Sequence, residues 1–213
     1  MSDDLIAGLS ADLEPVRPEA MRNRLLLGLG AGVLAAALLM LVWLGLRPDL
    51  AEAVATPIFW LKFAFATALT GAGFAAAIRL ARPGGSLRMP LRWTTAIVAV
   101  TAVAGLVQLL MASPDDVRAL ILGGSALVCP VYIVALSLPV LAANVVVMRR
   151  LAPTNLTGAG FAAGLLAGAA GTWVYAFHCT ESGLPFITLW YTAGTLATAL
   201  VGAAVGRWLL LRW

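Results

Sequence analysis

Charge is scarce in this chain, and so are the side chains of metal and thiol chemistry. Asp, Glu, Lys and Arg make up 11% of its 213 residues, and there are two cysteines and one histidine. So little charge, against 62% hydrophobic residues and a mean hydropathy of +0.95, excludes an ordinary soluble domain. A haem cytochrome needs paired axial ligands, which one histidine cannot supply. A quinone-linked thiol oxidase needs two cysteine pairs, and this chain has one pair and no Cys-x-x-Cys. No gap between the apolar runs is long enough for a separate soluble domain. The acidic N-terminus, followed by a run too long for an h-region, argues against a cleaved signal peptide.

What remains is apolar runs and the arginines between them. Six stretches can be drawn, near Leu25–Leu46, Val54–Ile78, Trp93–Ala112, Ala126–Met148, Ala159–Phe177 and Pro185–Leu209. Each is close to the ~20 residues that cross a hydrocarbon core. Arg17, Arg22, Arg24, Arg79, Arg82, Arg88, Arg92, Arg149, Arg150, Arg207 and Arg212 fall in alternate gaps and at the two ends. Arg47 and Arg118 fall in the other gaps, and Lys62 lies inside a run. Cytoplasmic loops keep the basic excess. The expected fold is therefore an all-α membrane protein with six transmembrane helices and both termini cytoplasmic. Residues 1–24 form a cytoplasmic segment, and 25–213 the six-helix domain. The net charge of +4 is a topology signal rather than a nucleic-acid footprint. Basic loops at the inner leaflet also meet anionic membrane lipid.

Local signals refine this picture. Trp43, Trp60, Trp93, Trp208 and Trp213 fall near span ends, where amphipathic rings anchor, while Trp173 and Trp190 fit packing between helices. From Pro114 to Arg149 apolar character is too continuous for one span, but Gly123-Gly124-Ser125 interrupts it. A surface helix is expected from Pro114 to Leu122, with Ser113 as its N-cap. The next span then starts near Ala126, puts Cys129 close to the outer face and kinks at Pro139. The turns Arg47-Pro48-Asp49 and Ser113-Pro114-Asp115-Asp116 suit helix starts and carry no functional signal. Asn155-Leu156-Thr157 matches a glycosylation sequon but falls on the cytoplasmic side. Gly160, Gly164, Gly168 and Thr172 form one small-residue row, and Gly194, Thr198, Gly202 and Gly206 another. Such rows let spans five and six pack tightly; pairing of two copies into a homodimer is the alternative use.

The candidate chemistry gathers at the outer face. Cys129 and Cys179 are expected there at similar depth on different helices, beside His178 and Glu181. Buried inert thiols are the plain reading, and a paired or reactive role is the sharper one, since disulfides persist on the oxidising side. Cys129, Cys179 and His178, with Glu181, could also take a soft divalent metal, provided the helix frays between His178 and Cys179. Lys62 is four residues from the interface and can snorkel outward. Pointing inward, its ammonium would favour a thiolate at Cys129 or Cys179. At the other end of the chain, Leu5, Ile6, Leu9, Leu13 and Val16 share one helical face, decorated by Asp3, Asp4, Asp12 and Glu14. A membrane-surface helix is usually basic on its polar face. This acidic one suits a groove on a basic protein partner instead.

Several stretches resemble one family. They are Leu-Ser-Ala-Asp-Leu-Glu-Pro-Val at 9–16, Arg47-Pro48-Asp49-Leu50, Trp60-Leu61-Lys62, Cys129 and Leu136-Ser137-Leu138-Pro139. Arg149-Arg150, Tyr175-Ala176-Phe177-His178-Cys179-Thr180-Glu181 and Trp190-Tyr191 complete the set. In this order, over nearly the whole chain, the pattern is similar to the NrsF-like membrane anti-sigma factors. The resemblance implies a non-enzymatic regulator in the bacterial inner membrane, with no cofactor. Its N-terminal segment, with Asp12 among the apolar positions, would hold an extracytoplasmic-function sigma factor. Cys129 and Cys179 would correspond to sensing cysteines that respond to heavy-metal and oxidative stress. The competing class is a small metal or solute transporter. That class places polar groups at the midplane, where only Lys62, Gln108 and Asn144 offer themselves.

Overall fold

The structure, a computed structural model, describes residues 18–151 and 153–210. The expected partner-binding residues Leu5, Ile6, Leu9, Asp12, Leu13 and Val16 lie outside the described residues. Helices follow one another along the chain, and the described residues contain no strand. They are α1 (Pro18–Trp43), α2 (Leu50–Ala53), α3 (Pro57–Leu80), α4 (Arg88–Met111), α5 (Pro114–Leu122), α6 (Cys129–Arg149) and α7 (Leu156–Tyr175). The last helix, α8, is continuous through Leu184–Phe186, a π-helical turn at Ile187–Tyr191 and Thr192–Leu209.

The starts of these helices have local causes. Pro57, Pro114 and Pro130 sit in first turns, where a missing N–H costs nothing. Asn155 caps α7, its Oδ1 accepting from the Gly158 N–H at 2.8 Å. The surface helix runs Pro114–Leu122 as expected. It stops at Gly123, whose φ of +52° suits a residue without a Cβ. The Ser113 hydroxyl occupies the N-cap position but bonds the Asp116 carboxylate at 2.7 Å rather than a backbone N–H. The next span begins at Cys129, which places this cysteine at a helix end as the Gly-Gly-Ser break implied.

Five helices are long and apolar enough to cross a membrane: Glu19–Trp43, Pro57–Leu80, Arg88–Met111, Cys129–Arg149 and Leu184–Trp208. The fifth expected span, α7, is not among them. Its glycines and threonine dilute its hydropathy, and its position explains why they are tolerated. It is the central helix, buried along nearly all of Gly158–Tyr175, with α8, α3 and α6 packed around it. A helix enclosed by protein has no need of bulky lipid-facing side chains.

The small-residue rows do their work inside the molecule. A Cβ added at Gly164 would lie 2.8 Å from Ala199 Cα, and one at Gly206 would lie 2.6 Å from Gly160 Cα. Thr172 and Thr195 join the two helices through a 3.0 Å hydroxyl pair. One member of the expected row is displaced. Gly194 faces Ile133 of α6, and Thr195 takes its place against Gly168. A four-residue row drifts by about 40° per step on a helix of 3.6 residues per turn, so a long row does not keep one face.

The connectors 44–56, 112–128 and 176–183 gather at one end of the bundle, where they bond one another. Arg24 and Arg150 border one groove at the opposite end. Trp43, Trp60, Trp93 and Trp208 are exposed, whereas Trp173 and Trp190 are half-buried between helices.

Candidate functional site

The connector end centres on the loop that follows α7. The helix ends at Tyr175, and the His178 and Cys179 N–H groups both close onto the Tyr175 carbonyl, at 2.9 and 3.0 Å. Cys179 is thus outside regular helix, in a loop tied to every neighbour. Glu181 accepts from the Gly124 N–H at 2.8 Å and the Ser125 hydroxyl at 3.0 Å. Gln108 of α4 accepts from the Leu184 N–H at 2.8 Å. Trp190 donates to the Ile121 carbonyl at 2.9 Å.

The strongest ties come from two cations. Arg47 forks onto Asp49 with two 2.8 Å bonds, and also donates to the carbonyls of Cys179 at 3.1 Å and Thr180 at 3.4 Å. Lys62 donates to the same Cys179 carbonyl at 3.1 Å. Arg47 is only 8% exposed and Lys62 is fully buried. The Asp49 hydrogen bond raises the Arg47 pKa above its usual value, and the guanidinium in turn holds the Asp49 carboxyl down at about 2. Lys62 therefore does not snorkel. The Cys179 carbonyl, in the loop after α7, supplies the acceptor that a buried ammonium needs. The ammonium bonds the backbone of Cys179, not its sulfur.

Cys129 and Cys179 are both buried free thiols. Tyr132, Tyr175, His178 and Tyr191 form an aromatic cluster at this end: Tyr175 and Tyr191 stand 5.9 Å apart, and Tyr132 and His178 6.4 Å apart, between ring centroids. The Tyr175 hydroxyl faces Cys129 and Ser125. Tyr191 lies beside Cys179, and its buried hydroxyl makes no hydrogen bond among the described residues.

The structure thus brings Cys129, Cys179, Lys62, His178 and Glu181 to one end, but not to one centre. His178 turns Nδ1 to the Gly45 carbonyl at 3.0 Å, and Glu181 turns to the Gly124–Ser125 break. Among the described residues, no three His, Cys, Asp or Glu side chains group as a metal-holding set. The polar groups of the transporter reading form no pathway. Lys62 and Gln108 are both bonded to backbone of the α7 loop, and Asn144 is buried elsewhere with no partner among the described residues.

Arg47 and Asp49 were missed as site residues. A buried arginine has no signature distinct from an outer-loop arginine, and its acceptors lie 132 and 133 positions away. The available signal was the pairing of a lone connector Arg with an Asp two residues on.

An all-helical bundle in which five helices are long and apolar enough to cross a membrane defines a helical membrane protein. The family model described as "Negative regulator of sigma F", NrsF, matches residues 9–213, and the chain belongs to that family. It is 43% identical to the anti-sigma-F factor NrsF of Caulobacter vibrioides, over 100% of this chain and 99% of that protein. It is 40% identical to a probable anti-sigma-F factor NrsF of Azospira oryzae, again over 100% and 99%. No solved structure matches the chain.

Proposed function

We propose that this protein is a six-span anti-sigma factor of the bacterial inner membrane, with both termini in the cytoplasm. Residues 1–24 hold an extracytoplasmic-function sigma factor, through Leu5, Ile6, Leu9, Leu13 and Val16 with Asp12 on the flank. Modification of the outer thiols Cys129 and Cys179 by a soft divalent metal or an oxidant releases it. The observation that carries this reading is the extent of the family match. It opens at Leu9, inside the acidic amphipathic stretch, and takes in both cysteines and their loop. The alternation of arginine-rich and arginine-poor connectors supports the orientation. The tight, single-chain use of the glycine rows leaves the homodimer without support.

The test is co-purification of the sigma factor with the full-length protein from membranes. It should be retained by the wild type and lost in Leu9→Lys/Leu13→Lys. Retention in the double variant would put the binding surface elsewhere, most directly in the 79–92 connector.

A further inference from the structure

The Cys179 carbonyl is where two buried cations from distant parts of the chain meet, Arg47 after α1 and Lys62 in α3. A carbonyl has two lone pairs, and here both are engaged by charged donors. Among the described residues Lys62 makes no ion pair, and this carbonyl is its hydrogen-bond acceptor. The end of α1 is fastened to the same loop at further points. The Arg47 N–H donates to the Phe177 carbonyl at 3.1 Å, Arg47 reaches the Thr180 carbonyl, and the Gly45 carbonyl meets His178 Nδ1.

Along the rest of its length α1 packs mainly on one neighbour, α6, and only 28% of its apolar window is buried. The approach is close: a Cβ at Gly32 would lie 2.6 Å from Val140 Cα. The first span is also one unbroken helix from Pro18 to Trp43. Its N-terminal end follows directly on the segment assigned above to the sigma factor, and its C-terminal end leads within four residues to Arg47. A stiff helix moves as a unit, and packed helices in switching proteins commonly shift by about 1–2 Å.

We propose that Arg47 and Lys62 are positioning residues that couple Cys179 to the first span. They hold the Cys179 carbonyl and the end of α1 in one arrangement. Displacing that carbonyl frees α1 to shift along α6, carrying the segment before Pro18 with it. The inference rests on the anti-sigma reading and supplies the route by which the cysteine loop controls it.

The test uses the full chain in two assays: a reporter for the sigma factor's regulon, and hydrogen exchange of the purified protein in lipid nanodiscs. Lys62→Met should raise the reporter about tenfold without inducer, a shift of about 1.4 kcal/mol in the holding equilibrium. It should also speed exchange of amides 44–50, a segment with which Lys62 shares no hydrogen bond. Lys62→Arg should restore both. A silent reporter with faster exchange overturns the coupling, as does an active reporter with unchanged exchange. If Lys62→Met does not accumulate in the membrane, Arg47→Lys is read by the same criteria, because it keeps the charge and loses the fork. Leu9→Lys/Leu13→Lys separates the two ideas. Silence there removes residues 1–24 as the sigma-binding surface, the reading on which the coupling rests; activity there with silence in the clamp variants fails only the coupling.

Discussion

Lys62 Nζ donates to the carbonyl oxygen of Cys179 at 3.1 Å, joining residues 117 positions apart. The bond gives a buried ammonium an acceptor and gives a buried loop carbonyl a donor. Arg47 shares that acceptor, so the connector after α1 and the first turns of α3 are both fixed to the loop that carries Cys179.

Replacing Arg47 by Ala removes the fork on Asp49 and both bonds to the loop. Hydrogen bonds to charged groups contribute about 1.5–3 kcal/mol each. The melting temperature of the purified protein should therefore fall by several degrees, at roughly 2–4 °C per kcal/mol for a chain of this length. An unchanged melting temperature would mean that Arg47 is solvated rather than clamped.

The Arg47–Asp49 pair sets a pH dependence of definite sign. The folded carboxyl titrates at about 2, below its usual 3.8, because the guanidinium stabilises the charged form. A depressed carboxylate contributes stability that is present above the unfolded pKa and is lost as pH falls through the folded one. The melting difference between wild type and Asp49→Asn should thus be level from neutral pH to about 5 and shrink only below about 4. No melting difference at neutral pH would show that the pair does not stabilise the fold.

Packing of α7 on α8 should tolerate no added carbon. Gly164→Ala would place a Cβ 2.8 Å from Ala199 Cα, a backbone contact that cannot rotate away. Overpacking of this kind costs about 1–3 kcal/mol. Gly71→Ala, where nothing lies within 4 Å, is the control. Melting of the two variants should differ clearly; equal melting would place the α7–α8 contact elsewhere.

The same residues show what a sequence can and cannot reveal. The surface helix Pro114–Leu122 and the late start of α6 at Cys129 were legible because their causes are local: a proline at one end and Gly-Gly-Ser at the other. The meeting of the two cysteine-bearing ends followed from counting spans. The direction of Lys62 was not legible, since snorkelling and inward bonding use the same residue at the same depth. Nor was the role of Arg47, whose acceptors are carbonyls, and a carbonyl carries no residue identity. The metal set Cys129, Cys179 and His178 required the helix to open between His178 and Cys179, and the helix does end before them, at Tyr175. The Gly45 carbonyl claims the His178 ring instead. The central helix α7 was drawn as a span from its length, and its enclosure by α8, α3 and α6 was not legible, because which neighbours face a glycine row is set by the fold.

Reporter fusions provide a check on orientation. Fusions after Arg82 and Arg150 should read cytoplasmic, and those near Asp115 and Gly183 periplasmic. Those connectors lie at opposite ends of the bundle, so the reverse pattern would put the cysteine loop and the N-terminal segment on each other's side.

The most direct test of the account is the response of the sigma factor's regulon to cadmium and to a thiol oxidant in a strain carrying Cys129→Ser/Cys179→Ser. The account predicts that the double variant keeps the regulon repressed and no longer responds to either agent. Full induction in the double variant would contradict it, and would leave the two cysteines as packing residues.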